Sequence, residues 1–263
     1  MTPPPHRLGP PPRRPAAPNP RESDPDRICG HAAVSAVFAR RPDDVLRLFY
    51  TRERRAEAGP FCAALARLRR PYRELPPEEM ARAAGTLHHG GLVAIARPRA
   101  FPVLDPAALP DALFAAPVLP VLAGIGNPHN IGAIARSAAF FGCRALLLLG
   151  DPRQAGLSDA AARTAEGGLE HLDLFRAADP IATLRALAPR ALTLAAMPGG
   201  GVTPDRLPRD RPFALVLGNE EDGLDPAMTA ACEQRVTLAG GGAVESLNVS
   251  VAAAVLIHAL MRR

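Results

Sequence analysis

Short apolar runs recur through the C-terminal half of the chain, interspersed with segments of helical spacing. The runs are apolar at nearly every position, which indicates strands buried on both faces. Strands of this kind form parallel sheets that helices cover on both sides. The sequence therefore predicts an α/β domain with a mostly parallel sheet. The predicted strands are 118–125, 145–149, 191–196 and 213–217, and the predicted helices are 130–141, 180–188, 226–233 and 246–261.

A smaller α/β unit is predicted ahead of this domain, over residues 21–97. Its predicted elements are helices at 28–39, 61–68 and 78–84 and strands at 45–50 and 91–96. Prolines are dense enough over 98–117 to interrupt regular structure, so we predict a linker there and place the larger domain at 118–263. Residues 1–20 hold nine Pro, three Arg and no acid. We expect this tail to be disordered, either as a solvated segment or as a basic arm that touches nucleic acid.

The basic side chains exclude two classes of enzyme. All 31 of them are arginine, and the chain contains no lysine. The phosphate loop of NTPases requires a lysine, and Schiff-base and pyridoxal-phosphate enzymes require a lysine amine. A chain rich in Ala, Arg and Pro and free of Lys is also typical of a GC-rich genome, and the exclusions hold whatever the cause.

Charge divides along the predicted domain boundary. Residues 1–100 hold 18 Arg against 10 acidic residues, whereas residues 101–263 hold 13 Arg against 16 acidic residues. A basic unit joined to an acidic α/β domain is typical of a polyanion-binding unit in front of a catalytic domain. An arginine-rich proteome also produces basic surfaces, so the asymmetry alone leaves nucleic-acid binding open.

The sequence gives no sign of export, membrane insertion or metal binding. No apolar run approaches 18 residues, and the first 20 residues lack the apolar core of a signal peptide. The four cysteines, at positions 29, 62, 143 and 232, are too scattered for a disulfide framework, and their spacing is not that of a zinc site. We therefore expect a cytoplasmic protein without a membrane span.

The loop after the first strand of the large domain carries two candidate residues. Asn130 is placed to cap the following helix. Arg136 interrupts a helix that is otherwise small and apolar, so it forms a structural ion pair or faces an anion such as an RNA phosphate. The same loop begins like a dinucleotide-binding fingerprint at Gly124 and Gly126, but His129 stands where the third glycine is required.

Two further loops carry polar groups beside glycines. The first follows the strand at 213–217 and has three consecutive acids, of which Glu220 lies closest to the strand end. Exposed acids in a turn need no function, but ligand sites of α/β sheets gather at the carboxyl ends of strands. The second loop follows a strand predicted from Val236, contains three glycines and leads into an apolar helix. Ser246 is placed to cap that helix, and Asn248 is predicted in its first turn.

Together the three loops resemble the SpoU (TrmH-type) branch of the SPOUT methyltransferases. The first family motif, Asn-x-Gly-x-x-x-Arg, matches Asn130 to Arg136, and the second, Gly-x-Glu-x-x-Gly-Leu, matches Gly218 to Leu224. The third, Ser-Leu-Asn-Val-Ser-x-Ala, matches Ser246 to Ala252. Residues 27–97 are similar to the small RNA-binding domain that precedes the catalytic domain in many members. Segments 85–91 and 163–168 are similar to a YfiF-like bacterial subgroup.

The resemblance implies a fold, a cofactor and an assembly. The C-terminal segment would pass through a loop as a deep trefoil knot, against the general rule that chains avoid knots. The knot would hold S-adenosylmethionine as methyl donor, without a metal, and the chain would act as a homodimer. The residues implied around the adenine are Leu217, Gly218, Val236, Leu238 and Leu247.

The resemblance also implies the reaction, which is methyl transfer to a ribose 2′-hydroxyl of rRNA or tRNA. Arg136 is expected to be essential, either as the base or as the group that binds phosphate and stabilises the developing oxyanion. The side chains expected to align hydroxyl and donor are Asn130, Glu220, Ser246 and Asn248. A second hypothesis is an inactive RNA-binding or ribosome-assembly protein with the same fold.

Overall fold

The computed structural model describes residues 25–262, and the predicted tail at 1–20 lies outside the described residues. Two sheets organise the described chain. The first contains four strands, β1 (Asp26–Cys29), β2 (Val45–Tyr50), β3 (Tyr72–Glu74) and β4 (Leu92–Ala96). Their spatial order is β1-β4-β2-β3, and only the β2–β3 pair is parallel. Three helices accompany this sheet, namely α1 (His31–Arg40), α2 (Arg55–Arg67) and α3 (Pro77–Ala84).

The start of the first sheet corrects one prediction. Ile28 and Cys29 were expected in a helix but form the end of β1, where Ile28 pairs with Ala94 of β4. Gly30 then adopts a φ of 90°, which ends the strand and allows helix α1 to begin at His31. The periodicity of a short apolar run does not by itself distinguish a strand from a helix. Here the pairing with β4 places Ile28 and Cys29 in a strand.

The second sheet confirms the predicted α/β class. Its six strands are β5 (Val118–Ala123), β6 (Ala145–Leu149), β7 (Asp173–Ala177), β8 (Leu192–Ala196), β9 (Phe213–Leu217) and β10 (Gln234–Val236). They follow the order β10-β8-β9-β5-β6-β7, and every pair is parallel. The helices are α4 (Pro128–Phe141), α5 (Asp159–Ala165), α6 (Pro180–Leu187), α7 (Pro226–Ala231) and α8 (Val249–Met261). The trefoil knot stays a prediction.

Two apolar cores lie on opposite faces of the large sheet. On one face α4, α5 and α8 pack against the sheet through residues such as Ile134, Ala161 and Ile257. On the other face α6 and α7 pack through Leu184 and Met228. Strands β5, β6 and β9 are buried at every position, which is why their sequences are continuous apolar runs.

One strand of this sheet, β7, was not predicted, and β10 was predicted to begin only at Val236, which is its last residue. The strand β7 contains Asp173 and Arg176, and β10 is only three residues long with an exposed Arg235. Both lie at the edges of the sheet, where one side of the strand has no neighbouring strand. Edge strands tolerate polar side chains, so hydrophobic periodicity gives a weak signal for them.

The proline-rich segment 98–117 lies against the large sheet. Leu104 and Leu113 are buried in the core beside α6, and Val103 forms an isolated parallel bridge with Arg176 of β7. A short 3-10 helix spans Asp111–Phe114. The segment therefore contributes side chains to the larger core as well as connecting the two sheets.

Three further observations concern the described residues. None of their helices is long and apolar enough to span a membrane. All four cysteines are free, and burial raises the pKa of the Cys143 thiol to about 12. Within residues 25–262 no group of three or more His, Cys, Asp or Glu side chains could hold a metal ion.

Candidate functional site

Three loops meet at the carboxyl edge of the large sheet. They follow β5, β9 and β10, and each contains one of the sequence motifs. Strands β9 and β5 are direct neighbours in the sheet, so the loops that leave them start side by side. The carboxyl edge of a parallel sheet is where α/β proteins build their ligand sites.

A chain of hydrogen bonds connects the three motifs. The Asn130 Nδ2 group donates to Glu220 Oε1 at 2.7 Å, and Asn248 Nδ2 donates to Asn130 Oδ1 at 3.3 Å. The second carboxylate oxygen of Glu220 accepts from the backbone N–H of Gly126 at 3.3 Å. Asn130 is buried at 9% exposure, so its amide is committed to these two partners. Three of the five predicted catalytic side chains are thus brought together.

The position of Asn130 in its helix corrects the sequence prediction. Asn127, rather than Asn130, caps α4, and its side chain accepts from the N–H of His129 at 2.9 Å. Pro128 occupies the first helical position. A backbone N–H there has no partner within the helix, so its absence in proline does not destabilise α4. Asn130 therefore lies inside the first turn of α4. Its side chain does not cap the helix and instead donates to Glu220.

The loop after β9 turns tightly around Gly218. A Cβ atom at Gly218 would lie 2.5 Å from the backbone of Gly223 and Leu224, so only glycine fits. Asn219 and Gly223 exchange backbone hydrogen bonds at 3.0 and 3.1 Å and close the turn. This closure directs Glu220 towards Asn130, and all three acids of the loop are exposed.

Sequence reasoning missed two residues that hold these loops. The Asn219 side chain accepts from the N–H groups of Glu221 and Asp222, and its Nδ2 group donates to the Gly124 carbonyl at 2.7 Å. Gln154 accepts from the Ile125 N–H at 3.1 Å and donates back to the Ile125 carbonyl at 3.3 Å. A polar residue beside a strand end was the available signal for Asn219.

Arg153 adds an electrostatic connection across the same edge. Its guanidinium contacts Asp151 at 2.9 Å, after β6, and Asp222 at 2.9 Å, after β9. Hydrogen bonds from Arg153 hold the pKa of Asp151 below its ordinary value. The loops after β6 and β9 are therefore connected through Arg153.

The third motif is arranged differently from the prediction. Asn248, not Ser246, caps α8, with its Oδ1 accepting from the Ser250 N–H at 2.9 Å. The helix consequently begins at Val249 rather than at residue 246. Ser246 is exposed and lies in the loop before the cap, outside the hydrogen-bond chain of Asn130 and Glu220.

The residues predicted to surround a nucleoside differ in burial. Leu217 and Val236 end β9 and β10 and are buried at 1% and 0% exposure. Leu238 packs partly against the core, whereas Leu247 is 49% exposed. Together with Gly218, these positions lie at the ends of β9 and β10 and on the loops that follow, and the same loops contain Glu220 and Asn248.

Arg136 lies apart from the hydrogen-bond chain. It extends from α4 and pairs with Glu166 at 2.9 Å, and both side chains are more than half exposed. Close packing determines the position of its backbone, since a Cβ atom on Gly168 would lie 2.8 Å from the Arg136 Cα. The guanidinium therefore faces solvent through a weak pair that an anion could replace.

Comparison with known proteins matches both parts of the chain. The model of the SpoU rRNA Methylase family matches residues 117–258, and the model described as RNA 2′-O ribose methyltransferase substrate binding matches residues 27–102. The first match covers the large sheet and all three motif loops. The second covers the four-stranded sheet and its helices.

Individual relatives cover most of the chain. An uncharacterized tRNA/rRNA methyltransferase, YfiF, of Escherichia coli O157:H7 is 30% identical over 88% of this chain and 66% of its own length. The 23S rRNA (guanosine-2′-O-)-methyltransferase RlmB of Nitrosomonas europaea is 28% identical over 90% of this chain and 91% of its own. The crystal structure of the SpoU methyltransferase AviRb from Streptomyces viridochromogenes, in complex with AdoMet, gives a TM-score of 0.70 at 22% identity, covering 91% and 90% of the two chains.

The fold and the joined loops define a two-part α/β protein of the SPOUT class, with a substrate-binding unit ahead of a parallel-sheet domain. The match over 117–258 then gives the family: the chain belongs to the SpoU rRNA methylase family. The resemblance stated from the three motifs is confirmed. The chain spans about two thirds of the length of the E. coli relative.

Proposed function

We propose that this protein transfers a methyl group from S-adenosylmethionine to a ribose 2′-hydroxyl of rRNA or tRNA. The observation that carries the proposal is the hydrogen-bond chain from Asn248 through Asn130 to Glu220, which joins the three family motifs at one edge of the sheet. A ribosome-assembly role alone would not require these polar groups to converge. The name of the N. europaea relative supports ribose 2′-O-methylation, and the name of the E. coli relative supports methylation of tRNA or rRNA.

The loops after β9 and β10 fit a nucleoside-containing donor. Residues 239–247 make no backbone–backbone hydrogen bond to other described residues, so their N–H and carbonyl groups are available to an adenine ring. The tight turn at Gly218 brings backbone close to the same region. The residues that would hold the donor are Leu217, Gly218, Val236, Leu238 and Leu247. When bound, the sulfonium supplies an electrophilic methyl group without the need for a metal.

The polar side chains would align the substrate rather than activate the donor. Glu220 is fixed by Asn130 and by the Gly126 N–H, so it presents a defined negative edge beside the donor loops. Ser246 and Asn248 lie just before the first residue of α8. Holding the hydroxyl and the methyl group in line accounts for a large part of catalysis in such transfers.

Arg136 would bind the RNA backbone and stabilise the developing oxyanion. Its exposed pair with Glu166 is worth about 0–1 kcal/mol, so an RNA phosphate can displace the carboxylate at little cost. Guanidinium groups suit phosphate because their donors form a fork. They stay protonated in proteins, which makes Arg136 a poor base.

A homodimer is the proposed assembly. An apolar face is exposed on α4 and α8, with Phe140 at 82%, Val251 at 48% and Val255 at 43% exposure. Phe140 lies four residues after Arg136, so the two side chains share one side of α4. Pairing of this face with a second copy would bring Arg136 towards the partner. We expect Phe140→Asp to yield monomers in analytical ultracentrifugation, with the fold retained.

The four-stranded unit is proposed to bind the RNA, and the cytoplasm is the proposed location. The family match over 27–102 and the excess of arginine in residues 1–100 support the RNA-binding role. Deletion of residues 1–100 is expected to weaken RNA binding while donor binding persists. Unchanged RNA affinity would assign RNA binding to the other domain.

The decisive experiment is transfer of tritium from labelled S-adenosylmethionine to total tRNA and to rRNA from a strain that lacks this gene. Wild-type protein is compared with Arg136→Ala and with Arg185→Ala, which changes an exposed arginine of α6 on the opposite face of the large sheet. Label in one RNA pool that Arg136→Ala abolishes and Arg185→Ala retains is the expected result. Donor binding without label in either pool, or in ribosomal precursors, would favour the inactive RNA-binding protein.

A further inference from the structure

One face of the four-stranded sheet carries an arginine on each of three strands. Arg27 of β1 and Arg47 of β2 are both registered with Ile95 of β4, the strand that lies between them. Directly paired residues point to the same side of a sheet, and so do residues two apart in one strand. Phe49 therefore shares this face with Arg47, and Arg73 of β3 shares it because it is registered with Phe49. We call the surface formed by these three arginines, Phe49 and Ile95 the arginine face.

The two longer helices of the unit cover the opposite face of the sheet. The core there combines α1 and α2 with Ile28, Leu48 and Ala94, which alternate along their strands with the residues of the arginine face. Within the described part of the unit, the arginine face is covered by one helix, the eight-residue α3, through Met80 and Ala84. The two apolar residues of the arginine face stay partly exposed, and its three arginines are exposed.

The arginines of this face are positioned by packing and are not paired with acids. None of the three forms an ion pair with another described residue. The Arg47 guanidinium lies 5.7 Å from the centre of the Phe49 ring. The Arg27 guanidinium lies over Gly85 at the end of α3, where an added Cβ atom would be 2.5 Å from Arg27 Nη1. Their positive charges can therefore pair with an anionic partner.

The arginine face continues onto the large domain across β1. Helix α5 packs against β1, and charged groups from both parts of the chain lie near the Cys29 thiol. Burial raises the pKa of this thiol to about 11. The charges of Arg163 on α5 and of Arg27 counteract the rise, whereas the charge of Asp159 adds to it. Arg163 and Arg27 therefore both lie close to the same thiol, at the junction of the two parts.

Helix α5 connects this junction to the first motif. Like the arginines of the sheet, Arg163 forms no ion pair with a described residue. Glu166 follows it by three residues, about one helical turn, and pairs with Arg136 of α4 at 2.9 Å. Exposed or partly exposed arginines thus follow one another from β3 of the small sheet to the motif arginine of α4.

We propose that the arginine face, continued by Arg163, is the surface along which the phosphate backbone of the substrate RNA approaches Arg136. The inference rests on the proposed function and names the part of the four-stranded unit that contacts RNA. Guanidinium groups bind phosphate through paired donors. Neighbouring strands lie about 4.8 Å apart, so the backbones of Arg27 and Arg47 are about 10 Å apart across β4. That distance corresponds to about three nucleotides of a stacked strand.

A second group of exposed arginines in the same unit gives the competing interpretation. Arg40 ends α1, Arg67 ends α2, and Arg69 follows it, all on the helices and connections of the opposite face. The arginine face is favoured because it continues through Arg163 to α4. Substitutions on the two faces distinguish the two surfaces.

The first test compares Arg27→Gln, Arg47→Gln and Arg73→Gln, singly and combined, with Arg67→Gln as the matched loss of charge. Affinity of the full chain for fluorescein-labelled bulk tRNA is measured by anisotropy from about 50 to 300 mM KCl, because phosphate contacts are salt-dependent. We expect the triple variant to bind at least about 10-fold more weakly at about 100 mM and to lose about 2 from the slope of log K against log salt. Arg67→Gln should match wild type. An unchanged slope in the triple variant, or an equal loss in Arg67→Gln, would overturn the proposal.

Substitution by lysine separates the charge of these residues from their packing. A variant with lysine at all three positions keeps the positive charges and loses the guanidinium forks. We expect it to keep the salt slope and most of the affinity of wild type. Urea denaturation of both triple variants checks that the fold is retained. A lysine variant that binds tRNA as weakly as the glutamine variant would overturn the proposal, because altered packing would then explain the loss.

The second test concerns the continuation onto α5. We expect Arg163→Gln to raise the KM for RNA about 5-fold in the tritium assay, with kcat and donor affinity retained, because a phosphate contact outside the reacting atoms is lost. The control is Arg185→Gln, on the opposite face of the large sheet, which should change neither constant. An unchanged KM in Arg163→Gln would overturn the path to Arg136.

Failure of this inference and failure of the proposed function give different results. Label with wild-type protein, together with wild-type tRNA affinity in the triple glutamine variant, would reject the arginine face alone. Absence of label with wild-type protein in both RNA pools would instead reject the proposed methyl transfer.

Discussion

The Asn248 side chain performs two separate tasks with its two polar atoms. Its oxygen caps α8 by accepting from the Ser250 N–H and hydroxyl, at 2.9 and 2.6 Å. Its nitrogen donates to Asn130 and so completes the connection between the third motif and the first. Because the two tasks use different atoms, two substitutions can separate stability from function.

We predict that Asn248→Ala lowers the free energy of unfolding by about 1 kcal/mol, because the cap of α8 is lost. Asn248→Asp should recover most of this loss, since a carboxylate caps as well as an amide oxygen. It should not recover methyl transfer, because the donor towards Asn130 is missing. Urea denaturation and the tritium assay measure the two effects. Full activity in the Asp variant would show that the contact with Asn130 is dispensable.

At the scale of elements, the close approach of α4 and α5 sets the geometry of the first motif. A Cβ atom on Gly132 would lie 2.4 Å from the Ala161 carbonyl oxygen and 2.7 Å from the Thr164 side chain. Gly132 therefore allows the two helices to touch, which brings Thr164 to His129 and Glu166 to Arg136. The glycine of the motif acts through helix packing.

We predict that Gly132→Ala destabilises the protein by about 2 kcal/mol, because backbone of α5 would have to move. The matched control is Gly59→Ala, inside α2, where nothing lies within 4 Å of the added methyl. Alanine there should stabilise by about 0.5–1 kcal/mol through helix propensity alone. Chemical denaturation of both variants measures the difference. Equal effects would mean that α4 and α5 can separate freely.

At the scale of the molecule, a buried ionic cluster joins the two sheets. Glu170, at 6% side-chain exposure, accepts from Arg41 of the first unit at 2.9 Å and from Arg99 of the connecting segment. Arg41 also contacts Asp26 at 2.8 Å. Beside the cluster, Gly167 adopts a φ of +87° directly against Ala36 of α1. Charge pairing and close packing therefore hold the two units in one orientation.

We predict that Glu170→Gln costs about 3 kcal/mol, because two largely buried guanidinium groups lose their shared carboxylate. Cleavage by trypsin within residues 98–117 should accelerate as the units separate. The control is Glu57→Gln, which breaks an exposed pair with Arg54 and should change stability by less than about 1 kcal/mol. Unchanged proteolysis in the Glu170 variant would show that apolar contacts alone hold the units together.

Much of the fold was predictable because it depends on local patterns. Strands β2, β6 and β9 have the predicted bounds, since residues buried on both faces give continuous apolar runs. The edge strand β7 was missed and β10 was predicted two residues too late, because their exposed positions carry polar residues. At the site, the motif spacing named Asn130, Glu220 and Asn248, but it assigned the caps of α4 and α8 to the wrong residues.

The sequence by itself determined the class of fold and the family, and it named the residues proposed to carry the chemistry, because burial patterns and motif spacing are properties of the linear chain. The tertiary structure alone decided which of those residues meet. The partners of Asn130 lie 90 and 118 residues away, and the side chain of Asn127 takes the cap that Asn130 could have filled. Arg136 and His129 likewise acquire their partners only where Gly132 lets α5 approach. Hydrogen-bond partners depend on distances in space, and those distances are set by the packing of sheet and helices.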